Sequence, residues 1–313
     1  MKNYAFGVDI GGTTCKIGFF ETSGKLLDKW EIKTNTENNG ASILDDVAVA
    51  LKAKMDEQGL SYDDIQGVGI GVPGPVNSKG EVPFCVNLGW GAIPVETVLS
   101  EKMGGILVKC GNDANVAALG EMWQGGGKGC SNMVAVTLGT GVGGGIIIDG
   151  KIYAGMRSMG AELGHTVLVL DGEDCTCGRK GCWEAYASGT ALIRDAKLAM
   201  KRCPESLLWE LCEGDSENLC GKIIFEAMRR GDLSAALVVN SYLKYVAMGI
   251  INLITVFQPE KVAIGGGICA EGDTILGPIK MYAKNSSCAN TSEIVIAELK
   301  NDAGIIGAAF LCQ

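Results

Sequence analysis

The chain has a single histidine, His165, among its 313 residues, so any metal site must draw its remaining ligands from other residue types. It has no apolar run of the ~18 residues that a membrane helix needs. The opening stretch MKNYAFGVDIGGTT has no apolar signal core and no small-residue cleavage site. Neither a membrane location nor export is expected. Basic residues do not gather on one face, and the net charge is −9, which argues against nucleic acid as the main partner. The P-loop pattern G-x-x-x-x-G-K-[ST] does not occur, so phosphates, if bound, must be held in another way.

What the chain has in excess is glycine, 46 residues without a G-X-Y period, which fits many tight turns beside strands. It also has 13 cysteines. Cys15, Cys85, Cys110, Cys130, Cys203, Cys212, Cys220, Cys269, Cys288 and Cys312 show no pairing pattern. Without an export signal they read as reduced thiols of a cytoplasmic protein. The length suits two domains, each with its own core.

The chain repeats itself. YAFGVDI and CKIGFFE read as strands around a glycine turn, and NMVAVTLGTGVGGGIIIDG reads the same way. VDIGGTTCKIGFF overlays VTLGTGVGGGIII without a gap, placing Gly11 on Gly139. IQGVGIGVPG matches EKVAIGGGI, and NDANVAALGEM from Asn112 is echoed by NDAGIIGAAFL from Asn301. GASILDDVAVALKAKMDEQGL reads as an amphipathic helix ended by Gly59, and AALVVNSYLKYVAMGIINLITVF as a long helix. Three paired elements in one order mark an internal duplication. The pattern predicts an α/β architecture of two similar domains with a cleft between them.

Two glycine turns hold matched places, Asp9–Thr14 and Leu138–Gly144. Glycine lets backbone N–H groups approach a phosphate, and Thr13, Thr14 and Thr140 add hydroxyl donors. Plain hairpin turns have the same composition, but the matched pair favours phosphate contact. Asp9 suits Mg²⁺ held through water. G-x-G-x-x-G occurs at Gly69–Gly74 and Gly139–Gly144, with an Ala variant at Gly265–Ala270. The first two lack the helix a dinucleotide fingerprint needs, and the third suits a base or ribose contact. Asp113 is a candidate general base for phosphoryl transfer to an alcohol, but Asn112 or Asp113 also suits a plain helix cap. His165, Cys175, Cys177 and Cys182 make a Cys₃His set, which suits a closed, structural Zn²⁺ site. Glu162 and Glu184 flank it and suit either sugar hydroxyls or solvent.

DIGGTTCKIG, GVPGPV, NDANVAALGE, LGTGVGGGI, GAELGHTVL and CTCGRKGCWE, in this order from Asp9 to Gly307, resemble the ROK family of sugar kinases and sugar-responsive repressors, in particular its bacterial glucokinases. The resemblance implies the actin-like ATPase fold, two ribonuclease-H-like domains with ATP and sugar in the cleft. The expected division is 1–115 with a C-terminal helix at 300–313, and 116–299. It implies Asp113 as catalytic base, with Gly74, Asn112, Asp113, Glu162, His165 and Glu184 at the sugar. Gly11, Gly12, Thr13, Gly139, Thr140 and Gly141 would face the phosphates, beside Asp9 and Thr14 read above from the loop itself, and Gly265, Gly266 and Gly267 the adenosine. His165, Cys175, Cys177 and Cys182 would bind a structural Zn²⁺. The implied reaction is ATP-dependent phosphorylation of glucose. N-acetylmannosamine, N-acetylglucosamine, fructose or allose are alternative acceptors, and non-catalytic sugar sensing is a further one. The DNA-binding module of the family's repressors is not expected ahead of Asp9. A homodimer or homotetramer is implied by analogy.

Overall fold

The computed structural model describes residues 2–286 and 291–313; Cys288 lies outside the described residues. The first half runs β1 (Tyr4–Ile10), β2 (Thr14–Glu21), β3 (Leu26–Lys33), a one-turn α1 (Glu37–Gly40), α2 (Ile43–Glu57), β4 (Ile65–Val72), α3 (Val95–Lys102), β5 (Val108–Asn112) and α4 (Asp113–Gln124). The second half runs β6 (Met133–Leu138), β7 (Val142–Ile148), β8 (Lys151–Ile152), α5 (Glu184–Ala187), α6 (Gly189–Arg202), α7 (Leu207–Leu211), α8 (Gly221–Arg229) and α9 (Leu233–Phe257). It ends with β9 (Lys261–Gly265), α10 (Asp273–Lys284), β10 (Glu293–Ile296) and α11 (Ala303–Phe310).

The two sheets have orders β3-β2-β1-β4-β5 and β8-β7-β6-β9-β10, the same position for position. This is the duplication read from the paired motifs. In the first sheet β1 and β2 are antiparallel, as are β2 and β3, and β4 runs parallel to both β1 and β5. In the second, β9 is parallel to both β6 and β10.

The chain forms two compact units, Met1–Asn132 with Gly145–Ala161 and Glu298–Gln313, and Met133–Gly144 with Glu162–Ala297. The expected boundary at 115/116 falls inside α4, which lies whole in the first unit.

In the first unit the period-two pattern of β1 turns Phe6, Val8 and Ile10 into a core shared with Ile43, Val47 and Leu51 of α2 and Leu99 of α3. The alternate face is built for backbone contact. A Cβ on Gly7 would lie 1.8 Å from the Ile305 carbonyl oxygen, and one on Gly69 would lie 1.6 Å from that of Ala308. Helix α11 therefore lies directly on the strands. It crosses α4 as closely, since a Cβ on Gly307 would sit 1.8 Å from the Val116 carbonyl oxygen. Buried Glu121 of α4 accepts the N–H groups of Gly126, Glu298 and Leu299 at 3.0, 3.0 and 2.8 Å, tying α4 to the approach of α11.

In the second unit α9 packs against α6, α8 and α10. It is the one described helix long and apolar enough to cross a membrane, and more than half of its most apolar stretch is buried within the unit. Asn240, Ser241 and Lys244 interrupt its apolar sequence. Trp183 is fully buried and donates to the Tyr245 carbonyl at 2.8 Å. Its indole lies where a side chain on Gly249 would be, 1.9 Å from the would-be Cβ. All twelve described cysteines are free thiols.

Candidate functional site

In the first unit, β1 ends beside the tight turn Gly11–Thr14, closed by the Gly11 N–H donating to the Thr14 carbonyl at 3.0 Å. Thr34, not singled out from the sequence, holds this turn. Its hydroxyl donates to the Gly11 carbonyl at 2.7 Å and its N–H to the Thr13 carbonyl at 2.9 Å. Gly12 and Thr13 are exposed, as a ligand-facing turn requires. Asp9 lies at the start of α11, where a Cβ on Gly304 would fall 2.7 Å from its Oδ2. Burial pushes its carboxyl above the usual range, the Asp113 charge pushes the same way, and Lys16 opposes both.

Asp113 is brought close to Asp9. A Cβ on Gly71 would sit 3.6 Å from both the Asp113 Cα and Asp9 Oδ1. The cap is Asn112, whose Oδ1 accepts the Asn115 N–H at 3.2 Å. Asp113 is the first helical residue of α4, and its Oδ1 accepts from Ala114 N–H at 2.7 Å and from Asn112 Nδ2 at 3.0 Å. Asn112 Nδ2 also reaches the Gly74 carbonyl at 3.3 Å, which joins the start of α4 to the loop after β4.

The segment Phe84–Gly89 was not singled out from the sequence, yet it touches both glycine elements. A Cβ on Gly12 would lie 3.4 Å from the Asn87 carbonyl oxygen, and one on Gly74 would lie 3.3 Å from the Cys85 Cβ. Gly71 and Gly304 likewise allow close approach to Asp9. Spacing carries no signal for the contacts of Gly12, Gly71 and Gly304, since each joins distant parts of the chain.

In the second unit the loop Leu138–Val142 turns on a Gly139 N–H to Gly141 carbonyl bond of 3.0 Å. The start of α6 anchors it. Gly189 N–H donates to the Gly139 carbonyl at 2.7 Å, and the Thr190 hydroxyl donates to the Thr140 carbonyl at 2.7 Å. Thr140 is exposed and Gly139 has open space around it. Gly141 is glycine for a different reason, because a Cβ there would lie 2.3 Å from Glu184 Oε2. Gly266, at φ +97°, has its backbone against the Leu138 carbonyl, with a would-be Cβ 2.2 Å away, so the run Gly265–Gly267 adjoins this loop. A short 3₁₀ turn, Gly267–Glu271, follows it.

Glu162 is exposed, and its carbonyl accepts the His165 N–H at 3.1 Å in the turn Leu163–His165. His165, Cys175, Cys177 and Cys182 converge, with their ligand atoms all within 4.8 Å of one another. A tetrahedral Zn²⁺ with bonds of about 2.3 Å to sulfur and about 2.0–2.1 Å to nitrogen sets S···S near ~3.8 Å and S···N near ~3.5 Å. Cys177 and Cys182 Sγ are 3.7 Å apart, and Cys175 Sγ lies 3.5 Å from His165 Nδ1. The donor set fits the ion in chemistry and spacing. Arg179, on the same loop, donates to the His165 carbonyl. Its backbone and guanidinium N–H groups draw the Cys177 thiol down to about 6, while burial pushes Cys182 up to about 12.

A family model described as ROK family matches residues 5–313. A glucokinase of Halalkalibacterium halodurans is 42% identical over 98% of this chain and 94% of its own length. A glucokinase of Thermotoga maritima is 37% identical over 98% of this chain and 96% of its own. A crystal structure of a ROK family glucokinase from Streptomyces griseus in complex with glucose and AMPPNP is 35% identical, with a TM-score of 0.75 and 98% of each chain covered. The two matched sheets are those of the actin-like ATPase fold of such kinases.

Proposed function

The chain belongs to the ROK family, and from that premise we propose that it is a glucokinase, transferring the γ-phosphoryl group of ATP to the 6-hydroxyl of glucose. The observation that carries the reading is Asp113. It stands at the start of α4, where the N-cap role falls to its neighbour Asn112 and one carboxylate oxygen accepts the Ala114 N–H at 2.7 Å, and a carboxylate so held suits a general base. Full-length similarity to glucokinases supports glucose as the acceptor.

Asp113 accepts the proton of the sugar hydroxyl as that oxygen bonds to the γ-phosphorus and the bond to the bridging oxygen of ADP breaks. Gly74, Asn112, Glu162, His165 and Glu184 hold the other hydroxyls. Carboxylates and an amide suit this task because each accepts hydrogen bonds from several O–H groups. Gly11–Thr14 and Gly139–Gly141 present N–H and hydroxyl donors to the phosphates. Gly265, Gly266 and Gly267 leave room for adenosine. Asp9, a carboxylate pushed toward its neutral form by burial and by Asp113, suits a cation, and would hold the Mg²⁺ that offsets phosphate charge. His165, Cys175, Cys177 and Cys182 would hold Zn²⁺, which fixes the imidazole and the loop around it. With Nδ1 turned to the thiols, the Nε2 of His165 is the nitrogen left for the sugar.

The test is the identity of the product. Incubation with ATP, Mg²⁺ and glucose should yield a sugar phosphate that glucose-6-phosphate dehydrogenase oxidises mole for mole with the ADP released. ADP release without that oxidation would place the phosphoryl group elsewhere and refute the assignment.

A further inference from the structure

Glu184 stands two residues after Cys182 and opens α5. Its two oxygens point to different parts of the second unit. Oε2 accepts the Val142 N–H at 2.9 Å, at the end of the glycine loop. Oε1 lies 3.4 Å from the hydroxyl of Thr176, the residue between Cys175 and Cys177. Gly141 makes room for this contact, since any side chain there would meet the carboxylate. A sugar contact does not require a bond to the loop amide, and a hairpin turn does not require a carboxylate. The hydrogen bond is charge-assisted, the stronger kind.

We infer that Glu184 is a positioning residue that relays the metal occupancy of the cysteine cluster to the glycine loop Leu138–Val142. The inference rests on the zinc and phosphate-loop roles proposed above. With the cluster closed on its metal, Thr176 fixes the carboxylate, and the carboxylate fixes the Val142 amide. With the metal removed, the loop around Thr176 loosens and the Val142 bond goes with it. The other ties of the glycine loop, from Gly189 N–H and the Thr190 hydroxyl, come from α6 and do not pass through the cluster. The relay therefore acts on Val142 and spares Gly189. It also makes nucleotide affinity depend on zinc in the absence of sugar.

Residue-resolved amide hydrogen exchange on the full chain tests this, with zinc bound and after chelation confirmed by metal analysis. Val142 should exchange roughly ten-fold faster without zinc, the loss of one strong hydrogen bond, while Gly189 holds its rate. Thr176→Val with zinc still bound should speed Val142 in the same direction. Should chelation unfold the unit and speed both amides, the Thr176→Val arm decides alone. The relay is overturned by an unchanged Val142 rate after complete metal removal, or by an unchanged rate in zinc-loaded Thr176→Val. Calorimetry with a non-hydrolysable ATP analogue, without sugar, separates the two readings. If Val142 responds and the analogue's affinity does not, the relay stands and the phosphate role of this loop falls.

Discussion

Asp113→Asn isolates the proposed base with little other change. The asparagine keeps a carbonyl oxygen for the Ala114 N–H, which donates to Asp113 at 2.7 Å, and the Asn112 cap on Asn115 is untouched. Helix α4 and its packing against α11 should therefore survive, and thermal unfolding should stay close to wild type. What is lost is the proton acceptor. A positioned general base contributes ~10²–10⁴-fold, or about 3–5 kcal/mol of barrier. The loss should fall on kcat, because the proton moves only as the transition state forms, while glucose affinity by calorimetry changes little. The assay is steady-state ADP release with saturating glucose and ATP. A kcat within about three-fold of wild type, less than 1 kcal/mol of barrier, would refute the assignment and leave Asp113 as a helix-terminal residue only.

Gly139→Ala separates a phosphate loop from a plain turn. No atom lies within 4 Å of its would-be Cβ, so the melting temperature should hold while ATP affinity falls about ten-fold, near 1.4 kcal/mol; unchanged ATP affinity would favour the plain turn. Gly7→Ala sets a methyl 1.8 Å from the Ile305 carbonyl and should cost about 1–3 kcal/mol or more in denaturant unfolding as α11 is forced off the sheet. Asp9→Asn should raise stability at neutral pH. The folded carboxyl is held above its ordinary value by burial and by Asp113, so its charge opposes folding once pH passes the folded value. Below the unfolded value both states are protonated, and the advantage of the variant should vanish. A variant less stable than wild type at neutral pH would contradict the sign.

Much of the fold was legible because the duplication repeats glycine hairpins at matched places. The two sheets reproduce that repeat strand for strand. The placement of α4 and α11 was not legible. Their union depends on Gly7, Gly69, Gly120 and Gly307 as contact points between backbones, and a glycine there looks like one in a turn. At the site, the convergence of His165 with Cys175, Cys177 and Cys182 followed from spacing alone. The choice between Asn112 and Asp113 as cap did not, because both residue types cap helices and only coordinates show which side chain meets Asn115. Gly141 looked like part of a phosphate loop, yet its lack of a side chain makes room for Glu184. The Val142–Glu184 bond beside it spans 42 residues and leaves no local trace.

Glucose as acceptor and Asp113 as base are tested together by kcat/KM for ADP release over a panel of glucose, fructose, allose, N-acetylglucosamine and N-acetylmannosamine. Glucose should give the highest value, and Asp113→Asn should abolish it. A higher value for another sugar, or no ADP release with any of them, would contradict the glucokinase reading.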